Sequence, residues 1–507
     1  MATILQRRTF LLAAGATAAS VTLGACDRTA PSREAVGPTA AAVAEREAGR
    51  RRPGARVRDA KLVAAPATID LGGRAAATWA YDGILPGPLL RLRAGDVLRA
   101  RLENRLPAPT SIHWHGIALR NDMDGVPGVT QQPVQPDTSF TYEFTVPDPG
   151  TFFFHPHVGL QLDRGLYGTL LVDDPEEAGR YDGELVVVLD DWTDGIGRSP
   201  DQIFQNLQRR GMKGMGGMEG MGGMGSTEDG GMEGMADSRN PLGGDPGDVR
   251  YPLYLINGRP PAAPRTLTAR PRQRVRLRVI NAAADTAFRV ALGGHRLTVT
   301  HTDGFPIKPV TGQALLVGMG ERYDALVELG DGAFPLVALA EGKKARAAAV
   351  IRAGGGPTPR LDAALDELDG RLLTALSLRP AAGVDLGARP PARTHRLTLA
   401  GDMQKYRWTI NGRTFDKTVP LEVRQGERVR LVFENRSMMF HPMHLHGHTF
   451  QVRNGSQSGP RKDTVLVGPM QRVAVDLDAD NPGQWVVHCH NAYHQEAGMM
   501  TTLSYIN

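Results

Sequence analysis

Three stretches of the chain repeat one order of apolar and polar positions: GDVLRARLENR (95–105), RQRVRLRVINA (272–282) and GERVRLVFENR (426–436). Apolar side chains alternate with charged ones, the period of a strand with one covered face, and each stretch reaches an asparagine: Asn104, Asn281 or Asn435. A second element recurs downstream as DPGTFFFHPH (148–157), GAFPLVALA (332–340) and NPGQWVVHCH (481–490), a glycine leading into an apolar strand. Turn signals are frequent and long helical periods few, so β-sandwiches or barrels are predicted, in three copies of one β-domain. The expected boundaries are an export signal over 1–25, a linker rich in Ala, Arg and Pro over 26–60, and a first domain over 61–175. A second domain follows over 176–355, then a connection over 356–391 with one short helical pattern, and a third domain over 392–507.

The copies differ in histidine. Nine residues after Asn104 stands His113, with His115 two further on; nine after Asn435 stands His444, with His446 two further on; nine after Asn281 there is only Val290. The second element ends in His155 and His157 in the first copy and in His488 and His490 in the third, whereas the middle copy has none. One His-x-His pair on a strand only puts two rings on one face. Four motifs in register with a repeat (HWHG, HPH, HPMHLHGH and HCHNAYH) predict metal binding by the first and third copies, with the middle copy as a spacer.

The last motif indicates which metal. His441, Cys489 and His494 with Met499 offer two imidazoles, a thiolate and a thioether, the His₂Cys set with a weak axial Met that marks blue copper. Met500 is the rival axial residue by position. Structural zinc has no need of the thioether and usually takes more than one cysteine. Alternate strand residues face opposite ways, so Cys489 points to one side while His488 and His490 point to the other. One short segment can therefore touch two copper centres.

Taken together, these motifs resemble the three-domain multicopper oxidases, and the likeness covers nearly everything after residue 60. It implies an all-β fold of three tandem cupredoxin-like domains, Greek-key β-barrels or sandwiches, and four copper ions. His441, Cys489, His494 and Met499 would bind type 1 copper, and His113 and His444 type 2 copper. His115, His155, His157, His446, His488 and His490 would bind the type 3 pair. Implied chemistry is one-electron oxidation of a reducing substrate and four-electron reduction of dioxygen to water. Asp124 matches the family's acidic residue near the type 2 copper, a candidate proton carrier. Many bacterial members place a glutamate directly after the last type 1 histidine; here Gln495 stands there, and Glu496, one step on, is the candidate in its place.

Two reducing substrates compete, Cu(I) and phenols. Soft thioethers favour Cu(I), and the run GMKGMGGMEGMGGMGSTEDGGMEGM (211–235) carries Met212, Met215, Met218, Met221, Met224, Met232 and Met235 between glycines that make a stable helix unfavourable. Met439, two residues before His441, matches a methionine that helps hold substrate Cu(I) in bacterial cuprous oxidases, and Met438 precedes it; Ser437 replaces their aspartate. In those relatives the methionine-rich insert lies in the third domain, here in the second. With the segments HWHGIALRNDMDG and LDDWTDGIG, this resembles the lipid-anchored copper-resistance oxidases of mycobacteria and other actinobacteria. A copper store or chaperone is the non-enzymatic alternative, against which the full set of cluster ligands argues.

Charge and termini set the surroundings. Fifty-nine basic against 54 acidic residues leave a net charge of +5, too balanced for a nucleic-acid partner. Arg50, Arg51, Arg52, Arg56 and Arg58 form a basic cluster that could face an anionic membrane or be plain linker. Arg7 and Arg8 ahead of an apolar stretch resemble a twin-arginine export signal, and Leu23-Gly24-Ala25-Cys26 a lipobox with Cys26 as the lipidated residue. The expected protein is therefore extracytoplasmic, tethered to the cell membrane or free in the cell envelope; a monomer is the default expectation, since the sequence does not fix the oligomeric state.

Overall fold

In the computed structural model, which describes residues 34–177, 180–210, 241–455 and 457–507, the three repeated stretches become the strands Val97–Asn104, Arg274–Asn281 and Arg428–Asn435. The export signal, Cys26 and the methionines of 211–235 lie outside the described residues. Each repeated strand has the same neighbours. It pairs in parallel with the first strand of its copy (Val57↔Val97, Gly183↔Val275, Arg393↔Val429) and antiparallel with a later one (Val97↔Thr145, Arg274↔Glu328, Arg428↔Asp478).

The terminal asparagine has one function three times over. Its Nδ2 donates to carbonyls across the turn, of Ala108 and Val134 for Asn104, Thr286 and Val317 for Asn281, and Met439 and Val467 for Asn435. Its Oδ1 accepts from the amide two residues on, at Leu106, Ala283 and Ser437. A buried side-chain amide thus replaces the ladder where the strand ends and carries the chain toward the next sheet.

Each copy contains two sheets: four strands and four in the first, six and six in the middle, six and five in the third. The histidine strands lie in the second sheet of the first copy and in the five-stranded sheet of the third. Ala35 to Asn507 forms one compact unit.

The middle copy departs from its sequence pattern. Arg276 and Arg278, at the polar positions of a strand expected to be half exposed, are buried. Arg276 Nη2 lies 2.6 Å from Asp324 Oδ2, and Arg278 Nη1 donates to Thr151 Oγ1 of the first copy at 2.9 Å. Arg276 also holds Glu177, whose other oxygen is 2.9 Å from His301 Nε2. Burial opposes the charge on Glu177, but His301 and Arg276 outweigh it and hold its carboxyl at about 2, below its ordinary 4.5. A carboxyl held low in the fold contributes its stability above the pKa of the unfolded chain and loses it as pH falls through the folded value. Glu177→Gln is therefore expected to lower stability at neutral pH by about 1–2 kcal/mol, allowing for screening at a half-solvated site. In denaturant melts over a pH series, the gap to wild type should narrow steadily below about pH 4.5.

Two expectations need correction. The supposed linker over 26–60 contains the helix Ala41–Arg50, and the first strand begins at Val57. Alanine favours helix, and the turn is anchored by Val43 and by Glu47, whose Oε1 accepts from Thr145 N and Oγ1 at 2.9 and 2.7 Å. The neighbouring arginines are engaged too, Arg51 with Glu143 and Arg58 with Asp96. Second, the helical pattern within 356–391 yields only the 3₁₀ turns Asp366–Asp369 and Ala375–Ser377; Gly370 follows the first, which buries Leu368 alone.

Candidate metal centre

Strands His113–His115 and Gly150–His155 pair with His113 opposite His155, and strands His441–Leu445 and Gln484–Cys489 pair with His444 opposite His488. Rings from the two pairs of strands meet between the first and third copies. His113 stacks on His446 and His115 on His444, with ring centroids 3.6 and 3.7 Å apart. The eight histidines of the four His-x-His pairs are thereby brought together between the first and third copies, all of them buried.

One ring nitrogen of most of them is engaged outward and the other faces inward. Asp124 is central: its Oδ1 is 3.1 Å from His113 Nδ1 and its Oδ2 is 2.9 Å from His446 Nδ1. His155 Nδ1 contacts Pro156 O at 3.0 Å and His488 Nδ1 contacts Cys489 O at 2.9 Å. Inward, His446 Nε2 faces His488 Nε2 at 3.1 Å, and His490 Nε2 faces His155 Nε2 at 3.4 Å. His113 Nε2, His115 Nδ1, His157 Nε2 and His444 Nε2 are buried without a hydrogen-bond partner among the described residues. Buried nitrogens are rarely left so, and convergent lone pairs suit metal ions. Burial pushes His115, His155, His446, His488 and His490 well below the usual imidazole range and His157 down to about 3, so the rings stay neutral, as ligation requires.

The other face of Gln484–Cys489 carries a second group. Cys489 Sγ lies 3.7 Å from His441 Nδ1 and 3.6 Å from His494 Nδ1, which are 3.1 Å from each other. Asn491 builds this arrangement by capping the short helix Ala492–Glu496, accepting from the amides of Tyr493 and His494, so that His494 folds back on the cysteine. Trp408 stacks on His494 with centroids 4.0 Å apart. Asp248 Oδ2 is 3.0 Å from His494 Nε2 and accepts from the Tyr406 hydroxyl, while Ser437 Oγ is 2.8 Å from His441 Nε2. Burial opposes a charge on His494, but Asp248 and Cys489 outweigh it and raise the ring to about 10.

The remaining expected residues divide. Met499 is fully buried, and its carbonyl accepts from Cys489 N at 3.0 Å; Met500 packs with Val126 and Val486 instead. Met439 is buried, and Met438 is 65 % exposed beside it. Glu496 is not brought to the histidine cluster. At 100° per residue, two steps along the helix from His494 turn its side chain outward. It lines an open cleft of about 540 Å³ with Gln208, Tyr406, Phe415 and Met500. Sequence reasoning missed Asp248, Trp408, Asp463 and Arg322. The available signal was charge inside apolar strand patterns, as in RKDTVLV and GERYDALV, but one sequence does not reveal that those charges are buried together.

A thiolate with two imidazoles, across one strand from a buried cage of eight imidazoles, is the donor set of a copper enzyme with two kinds of site. Family models described as multicopper oxidase match residues 64–177, 233–356 and 388–506. The chain belongs to the multicopper oxidase family, and its three pairs of sheets are the cupredoxin-like fold of that family. It is 50% identical over 502 residues to the multicopper oxidase MmcO of Mycobacterium tuberculosis, covering 99% of this chain and 97% of that protein. It is 30% identical to a copper resistance protein A homolog of Pseudomonas syringae pv. tomato, covering 85% of this chain and 89% of that one. Among solved structures, a multicopper oxidase from Pseudomonas thermotolerans superposes with a TM-score of 0.67 at 30% identity, over 89% of this chain and all of that one. The protein is thus an oxidoreductase with copper cofactors.

Proposed function

We propose that the chain is an exported cuprous oxidase, which oxidises Cu(I) to Cu(II) and passes the electrons to dioxygen. Bound copper would supply a one-electron acceptor at His441, Cys489, His494 and Met499 and, as three ions among the eight histidines, the means to reduce dioxygen to water. His113 and His444 would hold type 2 copper. His115, His155, His157, His446, His488 and His490 would hold the type 3 pair.

The residues do the rest. Cys489 joins the two sites through its own bonds to His488 and His490. Asp124 holds His113 and His446 in place, with its carboxylate positioned to carry protons to the cluster. Asp248 and Ser437 fix the outer nitrogens of His494 and His441, the side on which a reductant arrives.

The observation that carries Cu(I) as substrate is where the described chain enters and leaves the methionine run. Before it, Phe204 of the helix Pro200–Arg210 packs against Tyr406 and Tyr493, and Gln208 lines the Glu496 cleft. After it, Asp245 bridges by backbone to Met439 and Asp248 contacts His494. Both flanks therefore lie at the His441–Cys489–His494 group, although the insert belongs to the middle copy. Met212, Met215, Met218, Met221, Met224, Met232 and Met235 would deliver soft-bound Cu(I) there, to Met438 and Met439. Deleting residues 211–235 is expected to lower turnover on Cu(I) several-fold and leave turnover on a phenol unchanged. Equal loss of both, or of neither, would refute delivery.

A second reading, oxidation of phenols, is favoured by the Glu496 cleft: it is large enough for an aromatic ring, and Tyr406 in its wall bonds the carboxylate that touches His494. For location, Cys26 is proposed as a lipid anchor in the cell envelope. No helix among the described residues is long and apolar enough to cross a membrane.

A further inference from the structure

The middle copy supplies no histidine to the cluster, yet it forms part of the cluster wall. Gly320 sits at φ +82°, and a Cβ there would lie 2.9 Å from His490 Cδ2 and 3.0 Å from His115 Cε1, so only glycine lets this turn approach the rings. Two residues on, the side chain of Arg322 is wholly buried. Its Nη1 and Nη2 meet Asp463 Oδ1 and Oδ2 of the third copy at 2.7 and 2.6 Å, and its Nε donates to Thr151 O of the first copy at 3.0 Å. Its Nη1 also donates to Gly320 O at 3.1 Å.

Asp463 continues the chain of contacts into the cluster. Its Oδ1 lies 3.1 Å from His115 Nε2, and its carbonyl lies 2.9 Å from His444 Nδ1. Those two rings stack on each other, and their other nitrogens are the unpartnered His115 Nδ1 and His444 Nε2. Asp303 of the middle copy holds the same segment from behind, its Oδ2 accepting from the amides of Asp463 and Thr464 at 3.2 and 3.1 Å. The glycine of HWHG belongs to the same device: at Gly116, φ +88°, a Cβ would stand 2.4 Å from Arg322 Nη2 and 2.8 Å from Asp463 Oδ2.

We propose that Arg322 is a positioning residue for the copper cluster. By gripping Asp463 at both oxygens it fixes how the rings of His115 and His444 are turned, so that Nδ1 of the first and Nε2 of the second face the ions. A bidentate guanidinium does this where an ammonium would not, because its two parallel donors lock the carboxylate plane. The middle copy is then a structural arm of the site and not a spacer. This rests on the reading of the eight histidines as a copper cluster.

The test is copper retention by the full chain, with the cysteine site as internal control. Arg322→Met should keep the blue colour of that site while the cluster holds copper roughly 10- to 100-fold more weakly, seen as lost type 2 resonance and fewer ions per chain. Arg322→Lys keeps the charge but not the fork, so it should load the cluster less well than wild type at an unchanged blue signal; it serves if the methionine variant does not fold. Wild-type loading of the cluster in either folded variant overturns the proposal. So does equal loss of both signals from folded Arg322→Lys, which would mark Arg322 as general scaffolding. If wild type itself shows no type 2 signal, the copper-oxidase reading is what fails.

Discussion

Cys489→Ser is expected to abolish the blue colour of the copper-loaded protein and bring dioxygen uptake down to background, with the fold retained. Both losses follow from one position. Among the described residues its sulfur is the only cysteine sulfur, and Cys489 is bonded on either side to a cluster histidine. Serine matches the size of cysteine, so packing around this fully buried site changes little, and the buried hydroxyl costs about 1–3 kcal/mol. The cluster should still load, because His488 and His490 lie on the opposite face of the strand and the other six histidines come from other segments. Absorption and electron resonance would show type 2 copper without type 1. Retained colour and turnover would mean that another residue holds the first copper.

The second large effect is expected at Asp124. Its two oxygens divide between a ring of the first copy and one of the third, His113 and His446. Asp124→Ala leaves His446 Nδ1 without its acceptor and His113 Nδ1 with only the backbone carbonyl of residue 124, 3.0 Å away, so both rings are held less firmly and copper loading and turnover should fall together, roughly 10- to 100-fold. Asp124→Asn separates holding from proton transfer. Its amide keeps one acceptor, so loading should fall less than in the alanine variant. Turnover per loaded cluster should still drop by about 100-fold or more if the carboxylate carries protons. Turnover in the asparagine variant that simply follows copper content would leave Asp124 as a positioning residue alone.

Much of this site was legible because its elements are local and periodic. The strand pattern ending in asparagine found three equivalent strands, since alternation depends only on neighbours in sequence. Two-residue alternation correctly set Cys489 against His488 and His490, because strand geometry leaves no other choice. Convergence of the first and third copies followed from where the histidines were kept.

What stayed hidden depends on contacts between distant segments. Arg322 and Asp463 are 141 residues apart, and a charge inside an apolar strand pattern does not by itself reveal which distant charge is buried against it. Asp248 reaches His494 across 246 residues. Arg276 and Arg278 obey the alternation of an exposed face and are buried because the first copy covers them. Glu496 was misplaced for a different reason: its position was read along the chain, whereas the helix begun by Asn491 turns it away from the cluster. The helix Ala41–Arg50 lies in a stretch whose composition is that of a linker, and its one buried stripe, Val43 and Glu47, is too short to register as a period.

In the proposed reaction Cu(I) gives up its electrons at one site and dioxygen takes four of them at another. Its most direct test is to count Cu(I) oxidised against dioxygen consumed in one vessel, with the copper-loaded full chain and with Cys489→Ser as baseline. Four Cu(I) are expected to be oxidised per dioxygen, with no peroxide and at a rate far above the baseline. A ratio of two with peroxide formed, or uptake no faster than with the serine variant, would contradict it.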